Sequence, residues 1–198
     1  MNFDKANLAN YEPTWDMEKR PLWNYAKSVT IYKCPADRSY VMDYNNNEAP
    51  RILTMSMNLY VGGFAPLGDD GGWHQADPYW VFRKSSGIIN PSSVFLFLDM
   101  REDVVNWSNF MVDMTGGPIA PNPGSWTWGD MPGDYHNRAC GFSFTDGHSE
   151  IKRWLDGRTT PSIAPPLTLL SSTGFDFGAA GKNNQDVYWT QLHSTVAR

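Results

Sequence analysis

The chain has 198 residues, of which 41% are hydrophobic and 19% charged. That suits one domain with a real core and excludes a disordered chain. A net charge of −5, with no run of Lys or Arg, argues against a nucleic-acid partner, and acidic loops favour divalent cations. No apolar run approaches the roughly 20 residues that span a bilayer, and Met1 to Glu18 has no apolar segment of a secretory signal.

Residues 1–20 read as an arm with little structure of its own. Pro21 suits the first position of a short helix through Ala26, burying Leu22 and Tyr25. Val29 to Lys33 reads as a strand leading into Cys34-Pro35. Tyr40 to Pro50 is a polar loop. Ile52 to Tyr60 alternates, which predicts a strand with Leu53, Met55, Met57 and Leu59 inward and Thr54, Ser56 and Asn58 outward. Gly62 to Tyr79 is a long loop with Asp69, Asp70, Trp73 and His74, of a length often tied to function. Val94 to Leu98 is unbroken and apolar, the pattern of a central strand, ending at Asp99. Phe110 to Val112 predicts a short strand ending at Asp113. Thr115 to Pro132 is dense in Gly and Pro and holds Trp126 and Trp128.

Cys140 to Thr145 alternates again, with Cys140, Phe142 and Phe144 on one face and Gly141, Ser143 and Thr145 on the other. Asp146-Gly147 is the pair that accepts a two-residue type I′ turn, which sets Thr145 opposite His148. His148 to Trp154 returns as the partner strand, with Ile151 among its inward candidates. Residues 157–198 lack periodicity and read as a loop-rich tail over the body. The fold class is α+β: one domain over residues 1–198, an antiparallel sheet, a short N-terminal helix and long loops.

Candidate chemistry starts with the acids. Calcium takes six to eight oxygens from carboxylates, amide side chains and carbonyls. Asp43 with Asn45 and Asn47, the Asp69-Asp70 pair, and Asp130 with Asp134 are the candidate ligands. Zinc is disfavoured, because four histidines and two cysteines show no ligand spacing. If residues 137–145 are extended, His136 and Asp146 lie about 30 Å apart and serve no common metal. Asp146 then makes the turn, and His136 anchors the strand entry. Catalytic signatures are absent. Asp99 and Asp113 at strand ends suit turn capping better than a paired-carboxylate site. Trp73, Trp126 and Trp128 are candidate stacking platforms for a glycan.

The stretch Tyr-His-Asn-Arg-Ala-Cys-Gly-Phe-Ser-Phe-Thr-Asp-Gly-His-Ser-Glu, from Tyr135 to Glu150, resembles the His-x9-Asp-Gly signature of the prepilin-type, processing-associated proteins. Its motif positions here are His136, Asp146, Gly147 and His148. Cys34-Pro35-Ala36-Asp37, Arg51 with Ser56-Met57-Asn58, and Asn90-Pro91 leading to Leu98-Asp99 follow that family's order, so the likeness runs from Leu22 to Arg158. It implies a pseudopilin-like body, exported to the periplasm or cell surface. It also implies a non-enzymatic role as component or cargo of a secretion or pilus-like assembly. Some pseudopilins hold calcium in C-terminal loops, which supports calcium here. A prepilin begins with a cleavage site and a long hydrophobic helix, and this chain shows neither. Export would permit a Cys34–Cys140 disulfide, worth about 4–5 kcal/mol in the chain-entropy picture; the other reading is two free, buried thiols. Two alternatives stand beside the leading one. The first is a calcium-dependent hydrolase of a small ester, a lactone or a glycan, and the second a carbohydrate-binding module.

Overall fold

The structure is a computed structural model that describes residues 3–63 and 78–198. Asp69, Asp70, Trp73 and His74 lie outside the described residues.

The fold is α+β. A small hairpin pairs β1 (Tyr40–Met42) with β2 (Glu48–Pro50), so the expected polar loop is a hairpin. The main sheet contains β3 (Met55–Asn58), β4 (Phe95–Asp99), β5 (Asn109–Phe110), β6 (Ala139–Phe144) and β7 (Ser149–Arg153), in the order β5-β3-β4-β6-β7. All pairs are antiparallel except β3 with β5.

The β6–β7 hairpin forms as the alternation predicts, with Cys140, Phe142 and Phe144 buried. Its turn differs from the two-residue form. Phe144 N–H donates to the His148 carbonyl and Gly147 N–H to the Phe144 carbonyl, so three residues connect the strands. Gly147 alone among them takes positive φ (96°), as in a type I turn closed by a glycine bulge. Asp146 accepts the His148 N–H, as a turn aspartate does. Ile151, expected inward, is 66% exposed. In the observed register Lys152 sits opposite Cys140 and places its ammonium over the rings of Trp154 and Trp189.

The expected faces are inverted over Met55–Asn58, whereas Leu53 and Leu59 are buried as expected. Thr54, Ser56 and Asn58 are each fully buried, while Met55 and Met57 are half-buried on the opposite face. The polar side chains find buried partners. Asn58 Nδ2 donates to the Phe95 and Ser194 carbonyls, and its Oδ1 accepts the Tyr60 N–H. Thr54 Oγ1 accepts the Cys34 N–H.

These partners come partly from the C-terminal segment, which is no loose tail. It holds helices α2 (Phe177–Gly181) and α3 (Gln185–Leu192), following α1 (Trp23–Ala26) at the other end of the chain. Trp189 of α3 packs edge-on against Phe142, at 5.0 Å, and against Trp154. Asp186 accepts the N–H groups of Leu155 and Asp156 and the Thr159 hydroxyl, tying α3 to the end of β7. The main core lies between this layer and the sheet.

At the N-terminus, Val29–Tyr32 is a 3-10 turn rather than a strand, since β4 and β5 occupy both edges of β3. Leu22 and Tyr25, expected buried, are exposed. Among the described residues no helix is long and apolar enough to cross a membrane.

Candidate functional site

The face of the sheet away from α3 is open. Met55 and Met57 of β3, Phe97 of β4, Gly141 and Ser143 of β6, and Ile151 of β7 floor a groove of about 990 Å³. They lie on one face because alternate strand residues do. The observed pairs Met57 with Phe97, Phe97 with Ser143, and Gly141 with Ile151 line them up in rows across four strands. Leu22, Tyr25 and Ile31 stand at its rim and are exposed.

Asp99 marks one end of the groove, at the last residue of β4. Its Oδ2 accepts the Gly141 N–H at 3.2 Å and lies 3.2 Å from His136 Nε2. Gly141 permits this approach: a Cβ there would stand 3.0 Å from Asp99 Oδ2. The same His136 nitrogen lies 3.5 Å from Cys34 Sγ. The ligating atoms of Cys34, Asp99 and His136 all fall within 4.8 Å of one another. Among the described residues this is the group of three His, Cys, Asp or Glu side chains placed to hold a metal ion.

The group is largely buried. Asp99 is 2% exposed and its Oδ1 has no hydrogen-bond partner. Burial pushes its carboxyl above the usual range, against the Gly141 N–H and His136, which favour the charged form. Burial also raises the Cys34 thiol, partly offset by the N–H groups of Ala36 and Asp37. Cys140 is raised well above the ordinary thiol value, again by burial.

Cys34 and Cys140 are free thiols, not a disulfide. Each sulfur has another partner: Cys34 faces His136, and Cys140 donates to the Asp99 carbonyl. Nor do Cys34, His136 and Asp99 form a nucleophile–base–acid relay. A relay uses the two ring nitrogens separately, and here one nitrogen meets both partners.

The two ends of the His136–Asp146 motif do separate jobs. Asp146 Oδ1 meets His148 Nδ1 at 2.6 Å and accepts the His148 N–H, contacts that hold its carboxyl below the usual range. His148 stacks on Phe144. Asp113 caps its own turn through the Thr115 N–H, as expected, but Asp99 does not cap one.

Of the acids weighed for calcium, Asp43, Asp130 and Asp134 sit in three different networks. Asp43 closes the β1–β2 loop by accepting the Asn47 N–H. Asp130 accepts the Met111 N–H and the Asn106 amide. Asp134 faces Arg101 at 3.8 Å. Of the tryptophans, Trp126 stacks on Tyr188 and Trp128 packs on Trp154, both in the core. They are not a surface for stacking sugars, because the C-terminal layer covers them.

Reading along the chain missed the Cys34–Asp99–His136 cluster because its members are not local: His136 is 37 positions from Asp99 and 102 from Cys34. One signal was present. All three residues fall in stretches that carry the resemblance: Cys34-Pro35-Ala36-Asp37, Leu98-Asp99 and the His136 motif. Compared with protein-family models, curated proteins and solved structures, the chain has no significant match.

Proposed function

We propose that this chain is a pseudopilin-like, non-enzymatic body that docks an apolar helical segment of a secretion or pilus-like assembly on the open face of its sheet. The observation that carries the reading is the groove itself. Its floor is Met55, Met57, Phe97 and Ile151, and its rim is Leu22, Tyr25 and Ile31. Contiguous exposed apolar surface of this kind marks an interaction site, and methionines on a floor adapt to the shape laid on them.

A helix fits better than an added strand. The outer edge of β7 carries Glu150, Lys152 and Arg153, charges that discourage edge pairing. The broad floor across four strands suits the apolar stripe of a helix. The glycan reading loses Trp126 and Trp128 to the core. Among the described residues no histidine engages separate partners through its two ring nitrogens, as a nucleophile–base–acid relay requires.

The test is photo-crosslinking in the native cell, with a photoreactive residue at 57 in the groove and, as control, at the exposed Trp107. The expected product, at position 57 only, is a pilin-like secretion component joined through an apolar helical segment. Equal labelling from both positions, or a product joined through a polar surface, overturns the reading.

A further inference from the structure

We infer that Cys34, Asp99 and His136 form a binding site for a zinc-class transition-metal ion, independent of the groove's partner. The argument begins with spacing. Ligands about 2.0–2.3 Å from a tetrahedral zinc ion stand about 3.3–3.8 Å from one another. His136 Nε2 lies 3.5 Å from Cys34 Sγ and 3.2 Å from Asp99 Oδ2. A central ion at this spacing needs only small side-chain adjustments.

The second observation is independent of the spacing. Asp99 is 2% exposed, and its Oδ1 is buried without a hydrogen-bond partner. A buried carboxylate with an unpaired oxygen is costly unless a cation compensates it. The two arginines near this end of the sheet do not serve. Arg101 is engaged with Asp103 and with the Pro161 and Ser162 carbonyls. Arg51 is buried with Phe3 against its guanidinium, whose nitrogens make no hydrogen bond, to Asp99 or otherwise.

The surroundings hold the ligands as a metal site requires. The turn from Cys34 to Asp37 closes through the Asp37 N–H to the Cys34 carbonyl. It brings the N–H groups of Ala36 and Asp37 to the sulfur. Thr54, the residue before β3, accepts the Cys34 N–H and fixes that backbone. Gly141 N–H orients the Asp99 carboxylate, and Cys140 grips the Asp99 carbonyl from below. Such outer contacts orient ligands and sustain affinity. His136 is held by its N–H to the Ala139 carbonyl, and its ring is 31% exposed, which leaves ions a route in.

The ligand set chooses the ion. A thiolate with an imidazole suits zinc or cobalt, whereas calcium and magnesium take oxygen ligands. The site assigned here therefore differs in residues and in metal from the acidic-loop calcium sites expected along the sequence.

The test uses the reduced, metal-free full chain titrated with Co²⁺. One equivalent should give a near-ultraviolet sulfur-to-cobalt charge-transfer band with visible bands of tetrahedral intensity. Zn²⁺ should abolish both, and excess Ca²⁺ should leave them. Cys34→Ser should remove the charge-transfer band, while Cys140→Ser keeps it. His136→Ala, at a position whose ring is 31% exposed, should weaken zinc at least ten-fold with an unchanged far-ultraviolet dichroism spectrum. Four results overturn the site: no charge-transfer band from the wild type, a band that survives Cys34→Ser, displacement by calcium, or His136→Ala binding zinc as tightly as the wild type.

Discussion

The two faces of the five-stranded sheet are built on opposite terms. On the covered face, β3 presents Ser56 and Asn58, both fully buried, with Asn58 donating to the Phe95 and Ser194 carbonyls. Away from α3, Met55, Met57, Phe97 and Ile151 line an open groove. The polar residues of β3 are inside and its methionines face the groove. Burial here follows the availability of a covering layer and of hydrogen-bond partners, not side-chain polarity alone. The apolar face is therefore the one left to receive something.

The largest expected effect tests what holds the covering layer on. Asp186→Ala orphans the N–H groups of Leu155 and Asp156 and the Thr159 hydroxyl. At about 1–3 kcal/mol per buried unpaired group, the loss should be about 4 kcal/mol in urea unfolding. A loss below about 1 kcal/mol would mean that α3 is not pinned through this residue.

Asn58→Ala comes next, because it strips the Tyr60 N–H and the Phe95 and Ser194 carbonyls of their partner on the covered face. About 3 kcal/mol is expected. The matched change on the open face, Met57→Ala, should cost about 1 kcal/mol, since Met57 is only half-buried and leaves little cavity. Equal costs would break the contrast between the faces.

At the β5 edge, burial raises the Asp130 carboxyl to about 6, against the Met111 N–H and the Asn106 amide. The folded protein therefore holds this proton at a pH where the unfolded chain has released it. Asp130 adds stability below pH 4, and that contribution is lost as pH rises toward 6, by about 2–3 kcal/mol in all. Asp130→Asn should remove this fall from the pH profile of urea midpoints; an unchanged profile would refute the assignment.

Gly147→Val should cost about 1–2 kcal/mol, through positive φ alone, since nothing stands within 4 Å of a Cβ there. Because the β6–β7 turn belongs to neither face, cobalt binding at Cys34 should survive this change. Its loss would show that the turn and the cluster are coupled.

What the sequence by itself determined is local. The alternation of Cys140, Phe142 and Phe144, the Asp146-Gly147 pair and the unbroken Val94 to Leu98 run each specify backbone and facing within a few residues. Each of those strands is found, the hairpin with one residue more in its turn. Tertiary structure decided the rest. The facing of Asn58 depended on carbonyls of β4 and of the segment after α3, that of Ser56 on the Met100 sulfur and that of Thr54 on the Cys34 N–H. Residues 157–198 lack strong periodicity, yet they became the second layer because α3 is buried through Asp186, Thr190 and Gln191 as well as Val187. That layer put Trp126 and Trp128 inside. Cys34, Asp99 and His136 met because β4 pairs with β6, Leu98 opposite Phe142, with the Cys34 turn anchored on Thr54 beside them. Such a meeting depends on pairing between segments distant along the chain, and no pattern within one segment encodes it.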